Sequence, residues 1–215
     1  TRAAFSDKVL TTARDPVSGR LLAFCSCVLL DVPGVGEVIH LGLTCVEPGL
    51  RGSRLSNTLA ARLLTRYVVT RKGFGEVWMT SVACVLQVLG NLSKNFHRVY
   101  PSPSQPRPFA REVTLIAETF DRRYRSVAYV QPSATFDRET FVFRGSGRGT
   151  ALRQREDAVE FHHRDPAMNE YFRSRLDFDD GDEMLQVVNF RLWDLLRYEV
   201  GARLTRLKRA GARSS

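Results

Sequence analysis

Apolar positions along the first half of the chain fall into two rhythms, and turn residues punctuate them. Lys8 to Arg14 (KVLTTAR) alternates as a short strand, and Asp15-Pro16-Val17-Ser18-Gly19 has the Pro and Gly of a turn. Leu21 to Leu30 (LLAFCSCVLL) follows that turn without a helix N-cap signal, so it reads as a buried strand in a hairpin with the first. After Val32-Pro33-Gly34-Val35-Gly36, Glu37 to Val46 (EVIHLGLTCV) forms a third strand that stops at Glu47-Pro48-Gly49. The rhythm then changes. Leu55, Leu59, Leu63 and Tyr67 recur at helical spacing, which predicts an amphipathic helix through Thr70 with arginines on its outer face. Gly73 and Gly75 end it, Glu76 to Val82 (EVWMTSV) is the next strand, and Leu86, Leu89, Leu92 and Phe96 mark a second helix closed by Tyr100-Pro101.

Beyond Pro101 the pattern is weaker. Pro101 to Pro108 carries four prolines and reads as a loop, Ala110 to Tyr124 as a helix, and Thr140 to Arg144 (TFVFR) as a strand before Gly145-Ser146-Gly147. The acidic stretch from Glu156 to Glu183 reads as exposed, including His162, His163 and Asp165, whose spacing fits no metal site. Met184 to Phe190 (MLQVVNF) reads as a strand and Leu192 to Leu204 as a helix running into a basic tail. The expected architecture is a mixed, mostly antiparallel α/β sheet flanked by helices. Residues 1–107 form its core, 108–183 an accessory region, and 184–215 the last strand, helix and tail.

Composition narrows the field. With 43% hydrophobic and 26% charged residues, the 215-residue chain has the make-up of a globular protein, not a disordered or fibrous one. Its longest apolar runs fall short of the ~20 residues that a membrane span needs, so neither a transmembrane segment nor a membrane partner is expected. A secretory signal peptide is not expected either. The net charge of +9 favours anionic partners. It is also localised: Pro48 to Lys72 holds six cations and no acid, whereas Glu156 to Glu183 holds ten acids against three arginines. A phosphate site fits this better than a cationic face spread along nucleic acid. Cys25, Cys27, Cys45 and Cys84 lack zinc or disulfide spacing and read as core thiols of a reducing, cytoplasmic compartment.

The strand ending at Val46-Glu47-Pro48 runs through Arg51-Gly52-Ser53-Arg54-Leu55-Ser56 into the long helix. Such a join presents unpaired N–H groups and the positive end of a helix dipole to an anion. This segment resembles the pyrophosphate loop of the GNAT superfamily of acyl-CoA-dependent N-acetyltransferases, Q/R-x-x-G-x-G/A after V-x-P, and the order of elements from Lys8 to Pro101 is similar to that family's. Arg54 stands where the family has glycine, and Ser56 where it has glycine or alanine. The family's first strand and two helices, which shape the acceptor cleft, have no room before Lys8.

The resemblance implies acyl transfer, acetyl by default, from acyl-CoA to an amine of unknown identity, without a metal. It places the cofactor on Val46, Arg51, Gly52, Ser53, Arg54, Leu55 and Ser56. His40 is the candidate base, as the one titratable group on its strand face, with a pKa near ~6.5 in water; Glu37 stands second. Tyr100 is the candidate acid for the leaving thiolate, and Ser81 a candidate contact to the acyl group. The Asp177 to Glu183 run lacks a calcium-loop register and is a candidate attractant for a cationic amine. The alternative reading is a noncatalytic module of the same fold that binds nucleic acid or an acidic protein through its basic helix and tail.

Overall fold

The computed structural model describes residues 8–50, 52–53, 55–150 and 159–196. Its elements run β1 (Lys8–Arg14), β2 (Leu21–Val32), β3 (Gly36–Val46), α1 (Leu55–Tyr67), β4 (Val77–Ala83), α2 (Leu86–Asn95), β5 (Arg98–Tyr100), α3 (Arg111–Arg123), β6 (Thr135–Asp137), β7 (Val142–Arg144), α4 (Pro166–Arg173) and β8 (Glu183–Phe190). Residues 192–196 are helical, and the expected helix beyond them and the basic tail lie outside the described residues. The strands pair in the order β1-β2-β3-β4-β8-β7-β6, with β5 added to β8. This is the mixed, mostly antiparallel sheet flanked by helices that the sequence predicts.

β3 and β4 pair in parallel, from Val38 on Trp78 to Leu41 on Ser81. Each strand runs on past its last partner, β3 to Val46 and β4 to Ala83. β5, β6 and β7 pair antiparallel to their neighbours. The ion pair of Glu76 with Arg191 sets the start of β4 beside the end of β8. At the other end, Ala83 packs on the apolar cluster that holds Met184. β4 and β8 therefore run antiparallel.

The chain gathers into two compact units. The larger comprises Cys27–Gly42 and Trp78–Asn189. One face of its sheet carries Val38, Tyr100, Phe143, Leu185 and Val187 against Val113, Ile116, Ala117 and Phe120 of α3. The opposite face carries Val142 and Met184 against Leu86 and Leu89 of α2 and Phe172. The amphipathic segment Arg111–Arg123 thus occupies a sheet face that the sequence left uncovered, and Tyr124 Oη locks its end by donating to the Asp31 carbonyl at 2.7 Å. The second unit comprises Val9–Ser26, Leu43–Val77 and the chain from Phe190 onward. Here Leu59, Leu63 and Tyr67 fall on one buried stripe of α1, at the spacing the sequence predicts.

Three expectations need correction. The chain after α2 does not stop at Tyr100-Pro101 but forms β5, ending in a cis peptide before Pro101. The acidic stretch is not simply exposed: α4 lies within it, and His163, Phe172, Leu176, Phe178, Asp182 and Glu183 are buried. Its helix starts because Asp165 caps Ala167 N–H at 3.0 Å and Pro166 fits the first turn. Finally, Cys45 is exposed, whereas Cys25, Cys27 and Cys84 are buried thiols.

Candidate active site

β2 anchors the end of β3. Glu47 N–H donates to the Leu22 carbonyl at 2.9 Å, and its carboxylate pairs with Arg20. The chain then makes a tight 3-10 turn over Pro48–Leu50, in which Leu50 N–H reaches the Glu47 carbonyl and Ser53 N–H reaches that of Leu50. Gly52 holds a left-handed backbone, φ 78°, and a Cβ built there would meet nothing within 4 Å. Ser53 is exposed, α1 begins at Leu55, and its first turn holds no acid. The first amides of α1 have no helical carbonyl to bind. Of the residues assigned to the loop, Val46, Leu55 and Ser56 are half-buried, Gly52 and Ser53 are exposed, and Arg51 and Arg54 lie outside the described residues.

The three catalytic candidates lie in the larger unit. His40 is 1% exposed. Its Nδ1 lies 3.0 Å from Thr80 Oγ1, across the parallel register, and its ring lies 5.0 Å from that of Phe120. Burial pulls its pKa down to about 3, so the imidazole is neutral and a poor proton acceptor at pH 7. His40 is packed against Phe120 of α3 and buried among core residues.

Tyr100 is also a packing residue. It donates to the Glu139 carbonyl at 2.6 Å and meets Phe141 edge-on, and burial raises its pKa. Ser81 follows Thr80 on β4, so its side chain points to the sheet face opposite His40. It too is buried.

A titratable group that the sequence named only as part of an acidic run lies at the start of β8. Glu183 pairs with Phe143 in register and is buried, and its carboxylate accepts from Ser146 Oγ. Burial pushes its pKa up, while the serine pulls it down. No cation faces it among the described partners. Because β8 runs antiparallel to β4, Glu183 lies at the end of the sheet where β4 finishes and α2 begins. The only sequence signal was its place as the last acid of a charged run directly before a strand. Among the described residues, no group of three or more His, Cys, Asp or Glu could hold a metal ion. No helix among them is long and apolar enough to cross a membrane.

No protein-family model matches the chain, and no curated protein matches it significantly. Solved structures similar to it include the glucosamine-6-phosphate N-acetyltransferase of Arabidopsis thaliana, at 20% identity and a TM-score of 0.29 over 32% of this chain and 48% of that one. The ribosomal-protein-alanine N-acetyltransferase of Brucella melitensis biovar Abortus is 23% identical, with a TM-score of 0.26 over 30% of this chain and 45% of that one. An aminoglycoside 6'-N-acetyltransferase complexed with coenzyme A is 17% identical, with a TM-score of 0.28 over 38% and 42%. The chain spans less than half the length of each.

Proposed function

We propose that this chain is an acyl-CoA-dependent N-acyltransferase, acetyl by default, acting on an amine. The observation that carries the reading is the join of β3 to α1, set in an order of three strands, helix, parallel strand and helix. The join has the chemistry of a diphosphate cradle: a glycine in a left-handed backbone with open space at its Cβ position, and a helix start free of carboxylates. Val46, Gly52, Ser53, Leu55 and Ser56 would hold the pyrophosphate, and by sequence Arg51 and Arg54 add two cations beside it. Acyl-CoA supplies an acyl group activated as a thioester.

An ammonium acceptor must lose a proton before it attacks. Within the larger unit, Glu183 is a better proton acceptor than His40, because burial raises the pKa of the carboxyl and lowers that of the imidazole. A carboxylate held above its ordinary pKa by burial binds a proton more readily than a solvated one. The Ser146 hydroxyl orients it. Ser81 and Tyr100 take no proton-transfer step in this scheme, their side chains being committed to the packing of β4 and β5.

Calorimetric titration with acetyl-CoA tests the reading. Saturable heat, together with a rise in Tm as the ligand stabilises the folded chain by mass action, is expected. No heat and no shift at millimolar acetyl-CoA overturns it in favour of the noncatalytic module, whose nucleic-acid binding would weaken steeply with salt. Arg54→Gly distinguishes the placement: tighter acetyl-CoA binding locates the phosphates at this loop, and unchanged affinity locates them elsewhere.

A further inference from the structure

We propose that the outer face of α1 and the turn after it form a docking surface for an anionic lipid bilayer. Peripheral docking of this kind needs no spanning segment. Arg62, Arg66 and Val69 succeed one another at four- and three-residue spacing, on one side of the helical path, and all three are exposed. Neither arginine has an ion-pair partner among the described residues. Arg71 and Lys72 follow, so that no acid occurs between Pro48 and Gly75.

The path ends in a π-turn over Val68–Lys72 closed by Gly73, whose N–H donates to the Val68 carbonyl at 2.7 Å. Gly75 N–H then returns to the Lys72 carbonyl at 3.0 Å. Between these two bonded glycines stands Phe74, 77% exposed. Val69, one helical turn before it, is 61% exposed. Phe74 is therefore presented by a hydrogen-bonded turn with a tight backbone: a Cβ on Gly75 would lie 3.1 Å from the Lys72 carbonyl. Arg191, paired with Glu76 at 2.8 Å, brings the following helical stretch next to this turn, and there Trp193 is 61% exposed.

Exposed Phe, Trp and Val within a cationic rim fit one occupant best. Apolar tips enter the boundary between headgroups and acyl chains, and the arginines and lysine meet the lipid phosphates. Duplex nucleic acid satisfies the cations but leaves Val69 and Phe74 in water. Several large apolar side chains exposed on one short segment and its neighbour mark an interaction surface more often than a single exposed residue does.

The test uses the full chain in a flotation assay with two vesicle types, pure phosphatidylcholine and phosphatidylcholine containing phosphatidylserine. Binding to the anionic vesicles alone, weakened by added salt, is expected. Phe74→Ser and the pair Arg62→Glu with Arg66→Glu should each lower it roughly tenfold, at unchanged Tm because all three sites are exposed. An increase in tryptophan fluorescence with a blue shift on the anionic vesicles, lost in Trp193→Phe, supports insertion at this turn. Three results overturn the proposal: no binding to either vesicle; binding that ignores both variants, which places it elsewhere on the chain; or binding to DNA but not vesicles that the arginine pair abolishes and Phe74→Ser leaves intact, which makes this a nucleic-acid face. None of these readouts depends on acyl transfer.

Discussion

Arg144 holds Asp182 through its Nη1 at 2.6 Å, and the Asp182 carboxylate, fully shielded from water, also accepts from the amides of Gly145 and Asp177 at 3.0 Å each. The same guanidinium reaches Asp137 and the Arg175 carbonyl. One buried carboxylate thereby joins the end of β7, the loop after α4 and the entry to β8. Asp182→Ala removes three hydrogen bonds and leaves two amides without partners. The expected loss is about 3 to 5 kcal/mol of unfolding free energy, read by urea denaturation. A change below about 1 kcal/mol would mean the clasp contributes little.

Acid should weaken the fold through His40. Its folded pKa, about 3, lies below the unfolded value near 6.5, because burial disfavours the imidazolium. Its contribution is fully present above pH ~6.5 and is lost as pH falls toward ~3, since the unfolded chain then binds a proton that the folded chain refuses. Each pH unit in that window costs about 1.4 kcal/mol. Denaturation midpoints measured from pH 7 to 4 should show that slope, and His40→Gln should flatten it by about one proton. An equal slope in the variant assigns the acid sensitivity to other groups.

Gly90→Ala should destabilise α2 despite alanine's better helix propensity. The new Cβ would fall 2.7 Å from Cγ of His163. That ring cannot easily yield: its Nδ1 accepts from Asp165 N–H at 3.1 Å, and Asn169 binds the His163 backbone at both its N–H and its carbonyl. Propensity favours alanine by about 1 kcal/mol, whereas overpacking a fixed neighbour costs about 1 to 3 kcal/mol. A net loss of about 1 kcal/mol in thermal unfolding is expected, and His163→Ala in the same chain should relieve the clash.

Glu183→Gln distinguishes a base from a buried spacer. Turnover with an amine acceptor should drop about 100-fold or more, with acetyl-CoA affinity unchanged, because the change removes proton acceptance and keeps the shape. Ser146→Ala should shift the pH–rate profile upward in pH, since the serine's hydrogen bond lowers the acid's pKa. Full turnover in Glu183→Gln would exclude it.

The six elements from Lys8 to Asn95 were legible because proline and glycine separate them and each is long enough to show its period. β5, β6 and β7 are three residues each, too short for alternation to register. The Asp165-Pro166 start signal of α4 was present, yet the density of acids around it outweighed that signal. His40 shows the limit at the candidate site. Alternation along β3 assigns it a face, but no local pattern reveals that Phe120, eighty positions later, covers that face. The glycine and the helix start of the loop were legible because they are properties of the backbone.

The late arrival of α3 has a cost during synthesis. A ribosome that has released residues only as far as Pro108 has made the three strands, helix, strand and helix from Lys8 to Asn95, yet Val28, Leu30 and Val38 still lack their covering layer of Val113, Ile116, Ala117 and Phe120. A fragment truncated there would expose bare aliphatic sheet to other nascent chains and clump, so the shortest soluble version of this protein must extend at least through Tyr124.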